Sequence, residues 1–235
     1  NSISIAGGNA YTTSTSVTLT LASTGASTMK FQNDSAGYGS FEAYATSKSW
    51  TLANTQGTRT VYVIFKDAAG NSASAVNDTI VFDNVNPSAG TVADGTGGDI
   101  SVQNSTAVIN ANWTGFSDAT SGIASYQWAI GTSSGGTQVL SWTSTGISGT
   151  TGQKTGLTLS NGTTYYVSVK ATDNATNTGS AANSNGVEVD TAAPTGNSIS
   201  IAGGNAYTTS TSVTLTLAST GASTMKFQND SAGYG

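Results

Sequence analysis

Leu157-Thr158-Leu159-Ser160-Asn161-Gly162-Thr163-Thr164-Tyr165-Tyr166-Val167-Ser168-Val169-Lys170-Ala171 reads as a turn containing Gly162-Thr163 followed by an apolar–polar alternation. Alternation with period two is the mark of a strand that buries one face. The same rhythm recurs in Ser16-Val17-Thr18-Leu19-Thr20-Leu21, where Val17, Leu19 and Leu21 face one way, and in Thr60-Val61-Tyr62-Val63-Ile64-Phe65. Met29 and Phe31 repeat it, and Trp50 with Leu52 marks a strand that anchors a core. Further along, Ala107–Trp113 and Ser125–Ile130 alternate too, placing Trp113 and Trp128 inward. No stretch sustains a helical period, and abundant Gly, Ser, Thr and Asn disfavour helix. The chain is expected to be all-β.

Residues 1–39, from Asn1-Ser2-Ile3-Ser4-Ile5 to Gly37-Tyr38-Gly39, return without one change as residues 197–235. Selection on a fold tolerates surface drift, so identity over a whole segment records recent duplication. Such repetition suits a molecule whose length matters more than any unique site. Residues 197–235 hold only the opening strands of a module, a segment at the roughly 40-residue limit below which isolated domains struggle to fold. The natural chain is therefore expected to continue as an array. The alternative is that these strands complete a neighbouring molecule by strand exchange.

The only two prolines sit in matching contexts, Asp83-Asn84-Val85-Asn86-Pro87 and Asp190-Thr191-Ala192-Ala193-Pro194, each after a strand-like run. Proline lacks the N–H a ladder needs and fixes φ, so Pro87 and Pro194 suit stiff connectors between sheets. They divide the period into two segments of about 90 and 105 residues, each the size of a β-sandwich. The expected modules are residues 1–87, residues 88–194, and a partial third at 195–235.

Composition narrows the function. The 235 residues carry 8% charged side chains and a net charge of −5, with only seven Lys and Arg in total. Nucleic-acid binding needs clustered cations and is not expected. With neither Cys nor His there are no disulfides or thiolate metal sites, and the commonest general base is missing. No apolar run approaches a membrane span. Asp94 and Asp99 flank Gly95-Thr96-Gly97-Gly98, which is followed by no Lys-Ser or Lys-Thr and so is not a phosphate loop. Catalysis is not expected.

Residues 157–171, with Tyr165 six positions after Leu159, closely resemble the fibronectin type III pattern. The resemblance assigns Trp113 as that family's strand B tryptophan and Tyr165 as its tyrosine corner, whose hydroxyl reaches backbone near the turn. The first module resembles the bacterial immunoglobulin-like repeats of large prokaryotic surface adhesins. Trp50-Thr51-Leu52, Gly57, Thr60-Val61-Tyr62-Val63, Lys66-Asp67-Ala68-Ala69-Gly70-Asn71 and Ile80…Asp83…Pro87 carry it. Asp173-Asn174-Ala175-Thr176-Asn177 echoes the Asp67 hairpin, with Thr176 where Gly70 stands. The fold implied is a tandem of immunoglobulin-like β-sandwiches.

Similar adhesin arrays bind calcium at module junctions. That resemblance makes Asp83 and Asp190, at the junctions, and Asp67 and Asp173, in loops, the candidate ligands. Ordinary Asx turns would use the same residues. Trp142 reads either as an edge-strand residue covered by its neighbour or as a partly exposed partner- or sugar-binding face. The expected function is a structural stalk of an extracellular adhesin or fibre, its partners further copies of its own repeat. A laterally self-associating filament or sheath, and accessory modules of a secreted polysaccharide-degrading enzyme, are the alternatives.

Overall fold

The computed structural model describes residues 1–145 and 149–229. They form two compact units, Asn1–Val189 and Asp190–Gly235. The first unit holds two β-sandwiches with separate cores. No helix among the described residues is long and apolar enough to cross a membrane.

Module one is built from β1 (Ser2–Ile5), β2 (Tyr11–Thr12), β3 (Ser16–Ala22), β4 (Ala26–Asn33), β5 (Glu42–Ala43), β6 (Ser47–Thr51), β7 (Gly57–Asp67) and β8 (Val76–Phe82). One sheet runs β1-β3-β6 and the other β2-β8-β7-β4-β5. A single 3-10 turn at Ala6–Gly8 carries the chain from β1 to β2, which pairs parallel to β8 in the opposite sheet. Alternation does what the sequence requires of it. Val17, Leu19 and Leu21 meet Met29, Phe31, Val61, Val63, Phe65 and Ile80 between the sheets. Trp50 packs against this core from its margin. Leu52 is buried, while Trp50 stays half-buried at the margin, tilted against Phe31 with its indole N–H on Asn33 Oδ1 at 2.6 Å.

Module two follows the same plan with β9 (Thr91–Asp94), β10 (Val102–Gln103), β11 (Val108–Thr114), β12 (Ile123–Gly131), β13 (Leu140–Ser144), β14 (Thr151–Thr155), β15 (Thr164–Asp173), β16 (Ala182–Asn183) and β17 (Val187–Val189). Its sheets are β9-β11-β14 and β10-β17-β15-β12-β13, with β16 beside β15 and β10 parallel to β17. Both modules thus have immunoglobulin-like topology, and the chain is a tandem of such sandwiches. Trp113 and Trp128 are buried against each other, and Trp113 also packs on Tyr126. Tyr165 is buried, and its hydroxyl accepts the backbone N–H of Ser160 at 2.9 Å, closing the turn before β15 as a tyrosine corner does. Trp142 lies half-buried on β13 with Lys170 Nζ 4.5 Å from its ring centroid.

The second unit contains β18 (Thr195–Ile201) and β19 (Leu215–Thr220), an antiparallel pair joined through a 3-10 turn at Ala202–Gly204. Ile199↔Leu217 and Ile201↔Leu215 reproduce the β1–β3 register Ile3↔Leu21 and Ile5↔Leu19.

Candidate functional site

The two FG hairpins, β7–β8 in module one and the turn after β15 in module two, start from one local code. In module one the Asp67 carboxylate accepts the Asn71 backbone N–H at 2.8 Å and its side-chain amide at 2.9 Å. The Asn71 amide and N–H hold the Asp67 carboxyl below the usual carboxylate range, against a small opposing effect of desolvation. In module two, Asp173 accepts the corresponding pair from Asn177 at 2.9 and 2.8 Å. The surroundings of the two hairpins differ. Ala69 is exposed at its hairpin tip, whereas Ala175, its counterpart, is only 5% exposed. Ala175 and Asp173 are buried where the hairpin is seated on the end of module one, while Asn174 and Thr176 stay exposed.

Several contacts make that seat. Asn177 donates its side-chain amide to the backbone carbonyl of Asp83 at 3.0 Å. Pro87 is buried, and a Cβ added to Gly179 would lie 2.4 Å from the Pro87 carbonyl oxygen, so only glycine allows this approach. Ser88 and Ser117 exchange backbone hydrogen bonds of 2.8 and 3.4 Å. The connector expected from Pro87 is therefore packed into the second module.

At the centre of the joint, carboxylate oxygens of Asp83, Asp118 and Asp173 all lie within 4.8 Å of one another. Asp83 and Asp173 are 0% and 1% exposed. Asp83 Oδ1 accepts the Val85 N–H at 3.0 Å, but its buried Oδ2 has no hydrogen-bond partner. Asp118 Oδ1 accepts three backbone N–H groups, from Thr120, Ser121 and Gly122, at 3.0, 2.8 and 3.1 Å. Burial alone would raise the Asp118 pKa; the N–H groups of Ser121, Gly122 and Thr120 turn the net shift downward. Asn174 ties the two loops together through the Ser121 carbonyl at 2.7 Å.

This donor set fits a calcium ion. Ca–O distances near about 2.4 Å allow two ligands of one ion to stand no more than about 4.8 Å apart. A buried carboxylate oxygen with no donor is a large desolvation cost unless a cation or proton answers it. Asp83 Oδ2, Asp118 and Asp173 would supply three oxygens, and carbonyls or water the remainder.

Of the four aspartates singled out from the sequence, the fold brings Asp83 and Asp173 together. Asp67 lies in the module-one hairpin, outside any such cluster among the described residues. Asp190, an exposed residue of the second unit, accepts the Ala192 N–H at 2.8 Å in an Asx turn. Asp118 escaped notice because its partners are remote in sequence; the Asp118-Ala119-Thr120-Ser121-Gly122 nest is its only local sign. Asp94 escaped too. It is fully buried under β16, accepting the Gly186 N–H at 3.1 Å, and burial pushes its carboxyl up to about 6.

No protein-family model matches the chain, and no curated protein sequence does. Among solved structures it is similar to the fibronectin(III)-like modules of Clostridium thermocellum CbhA, at 14% identity and TM-score 0.41 over 80% of this chain and 94% of that one. Domains A168–A170 of titin share 18% identity at TM-score 0.46, over 74% of this chain and 58% of theirs. The chicken CNTN1 FN1–FN3 domains share 12% at 0.41, over 80% and 66%. This chain thus spans less than two thirds of the titin and CNTN1 chains. The class of the fold rests on the strand order described above.

Proposed function

We propose that this chain is a non-catalytic structural repeat of an extracellular adhesin or fibre, and that calcium at Asp83, Asp118 and Asp173 stiffens the joint between its two modules. The observation that carries the reading is the seat itself. A buried proline, a glycine with no room for a Cβ, and an amide clamp from Asn177 to Asp83 make a built joint where a flexible tether would need none of them. A stalk transmits reach only if its joints resist bending, and bridging three crowded carboxylates with one divalent cation locks two bodies together. The exact 39-residue repeat and the sparse charge support a role in length rather than in chemistry. The BC turn of module one, Ala22-Ser23-Thr24-Gly25-Ala26, has no acid where module two has Asp118. One ion per two modules follows.

Residual dipolar couplings test this on the full chain. With calcium, residues 1–87 and 88–189 are expected to share one alignment tensor; with chelator the two tensors diverge. Independent tumbling in both conditions would overturn the rigid-joint reading, and one shared tensor in both would remove calcium from it.

A further inference from the structure

The outward face of module one's larger sheet carries cations that no acid answers. On β7, Val61, Val63 and Phe65 are buried, so Tyr62, Ile64 and Lys66 lie on the opposite face. On β4, Met29 and Phe31 are buried, which puts Lys30 and Gln32 on that same face. The register sets Lys30 beside Ile64 and Lys66 beside Thr28. Phe41, just before β5, reaches both lysines: Lys66 Nζ and Lys30 Nζ stand 3.8 and 4.8 Å from its ring centroid. Lys30 Nζ is also 5.1 Å from the centroid of the Tyr38 ring. Lys30, Lys66, Tyr38, Phe41 and Tyr62 are all half-buried.

Module one holds four of the seven Lys and Arg side chains. Glu42 answers Lys48 at 2.7 Å, and Asp34 answers Arg59 at 3.2 Å. Among the described residues, neither Lys30 nor Lys66 forms an ion pair. An aromatic ring attracts an ammonium group through its quadrupole and carries no net charge. Phe41 and Tyr38 therefore position two cations without neutralising them, on a chain whose net charge is −5. The arrangement recurs in module two from unmatched positions. Lys170 lies over Trp142 and forms no ion pair among the described residues. When Asp67 is aligned with Asp173, Lys170 falls where Ile64 stands, and Thr172 takes the place of Lys66. Inheritance from a common module does not account for the likeness.

We propose that this face of module one binds an acidic polysaccharide with one carboxylate per sugar, a polyuronate. Its carboxylates accept hydrogen bonds from the Lys30 and Lys66 ammonium groups. The apolar C–H faces of its sugar rings lie against the exposed parts of Tyr38, Phe41 and Tyr62. Charge density decides between polyanions. Nucleic acids and anionic membranes call for a longer run of cations than this face offers, and so do polymers with several sulfates per sugar. Lysine is a compact point charge with three rotatable donors, which suits carboxylates displayed along a flexible chain. The site shares no residue with the aspartates of the joint and needs no calcium.

Calorimetric titration of the full chain with oligogalacturonate, in chelator, tests it. Binding is expected, and it weakens as salt rises. Lys30→Gln and Lys66→Gln each weaken it at least about fivefold, and Phe41→Ala does so with the charge unchanged. Lys154→Gln makes the same charge change on β14, in a different sheet, and leaves binding within about twofold. Amide spectra of each variant check that module one stays folded. An absence of binding would overturn the proposal, as would a loss in Lys154→Gln equal to that in Lys66→Gln. Equal or tighter binding of dextran sulfate or polyglutamate would overturn it too, by making the partner a sulfated polymer or an acidic polypeptide.

Discussion

Asn177 and Asp83 are 94 residues apart, and the side-chain amide of the first donates to the backbone carbonyl of the second at 3.0 Å. Its counterpart Asn71 bonds only the Asp67 carboxylate within its own hairpin, as Asn177 also bonds Asp173. The two residues therefore separate turn chemistry from joint chemistry. Both Asn71→Ala and Asn177→Ala lose the side-chain amide bond to the hairpin aspartate and keep the backbone N–H bond, and only Asn177→Ala also loses the bond to Asp83. The second substitution is expected to cost about 0.5–1.5 kcal/mol more in the unfolding of its module, the net value of one hydrogen bond. Urea unfolding followed separately for each module, by Trp50 and by Trp113 and Trp128 fluorescence, gives the two values. Equal losses would mean that the clamp contributes nothing.

Asp83→Asn addresses the cation directly. The unpartnered Oδ2 makes the ion-free joint costly, so removing the charge is expected to raise stability in chelator while abolishing the response to calcium. In the unsubstituted chain, calcium at about a hundred times its dissociation constant should add about 2.7 kcal/mol. Calorimetric titration should find one site per chain, lost in Asp83→Asn and retained in Asp67→Asn. A site that survives Asp83→Asn would place the ion elsewhere.

Thr176 has φ of 77°, a left-handed conformation that a β-branched residue adopts only under strain. Gly70, at the same point of the other hairpin, has φ of 96° at no steric cost. Thr176→Gly is expected to stabilise module two by about 1 kcal/mol, since relief of a left-handed β-branched residue outweighs the added freedom of glycine in the unfolded chain. Gly70→Thr should destabilise module one by a similar amount. A lower urea midpoint for Thr176→Gly would show that the threonine makes a compensating contact.

The strands and the core were legible because a sandwich interior needs period-two burial, and Leu19, Val63, Ile109 and Val167 all obey it to 0% exposure. The tyrosine corner was legible for a related reason: Leu159, the turn and Tyr165 are local in sequence, and the bond from Ser160 to Tyr165 spans 5 residues. Joint chemistry has no such locality. Asp118 and the strand-end Asp173 are brought together by the fold of module two, and only the docking of one module on the other adds Asp83 to them. Trp50 packs against the core yet stays half-buried, because alternation gives the face of a side chain and not its depth along the strand. The hairpins show the limit most sharply, since nearly equal sequences leave Ala69 in solvent and bury Ala175.

Asp94 sets the pH response of module two. Burial raises its carboxyl to about 6, with hydrogen bonds from Ser184 and the Gly186 N–H pulling partly the other way and the Asp99 charge adding to the rise. The ordinary value is 3.8, so the folded state binds this proton more tightly than the unfolded state does. Stability is therefore expected to increase as pH falls from about 7 through 6 and to level off near 4, by no more than about 3 kcal/mol. Asp118 has the opposite sign: its depressed value contributes stability above 3.8 that is lost at lower pH, outside the Asp94 window. Urea midpoints of module two at pH 4.5 and 7.5, taken in chelator to exclude the cation, should differ in favour of the acid condition. Asp94→Asn keeps an acceptor for Gly186 and removes the charge, so it should flatten that difference by raising the midpoint at pH 7.5. A midpoint that falls at pH 4.5 in the unsubstituted chain would show that Asp94 is not held as a buried carboxyl.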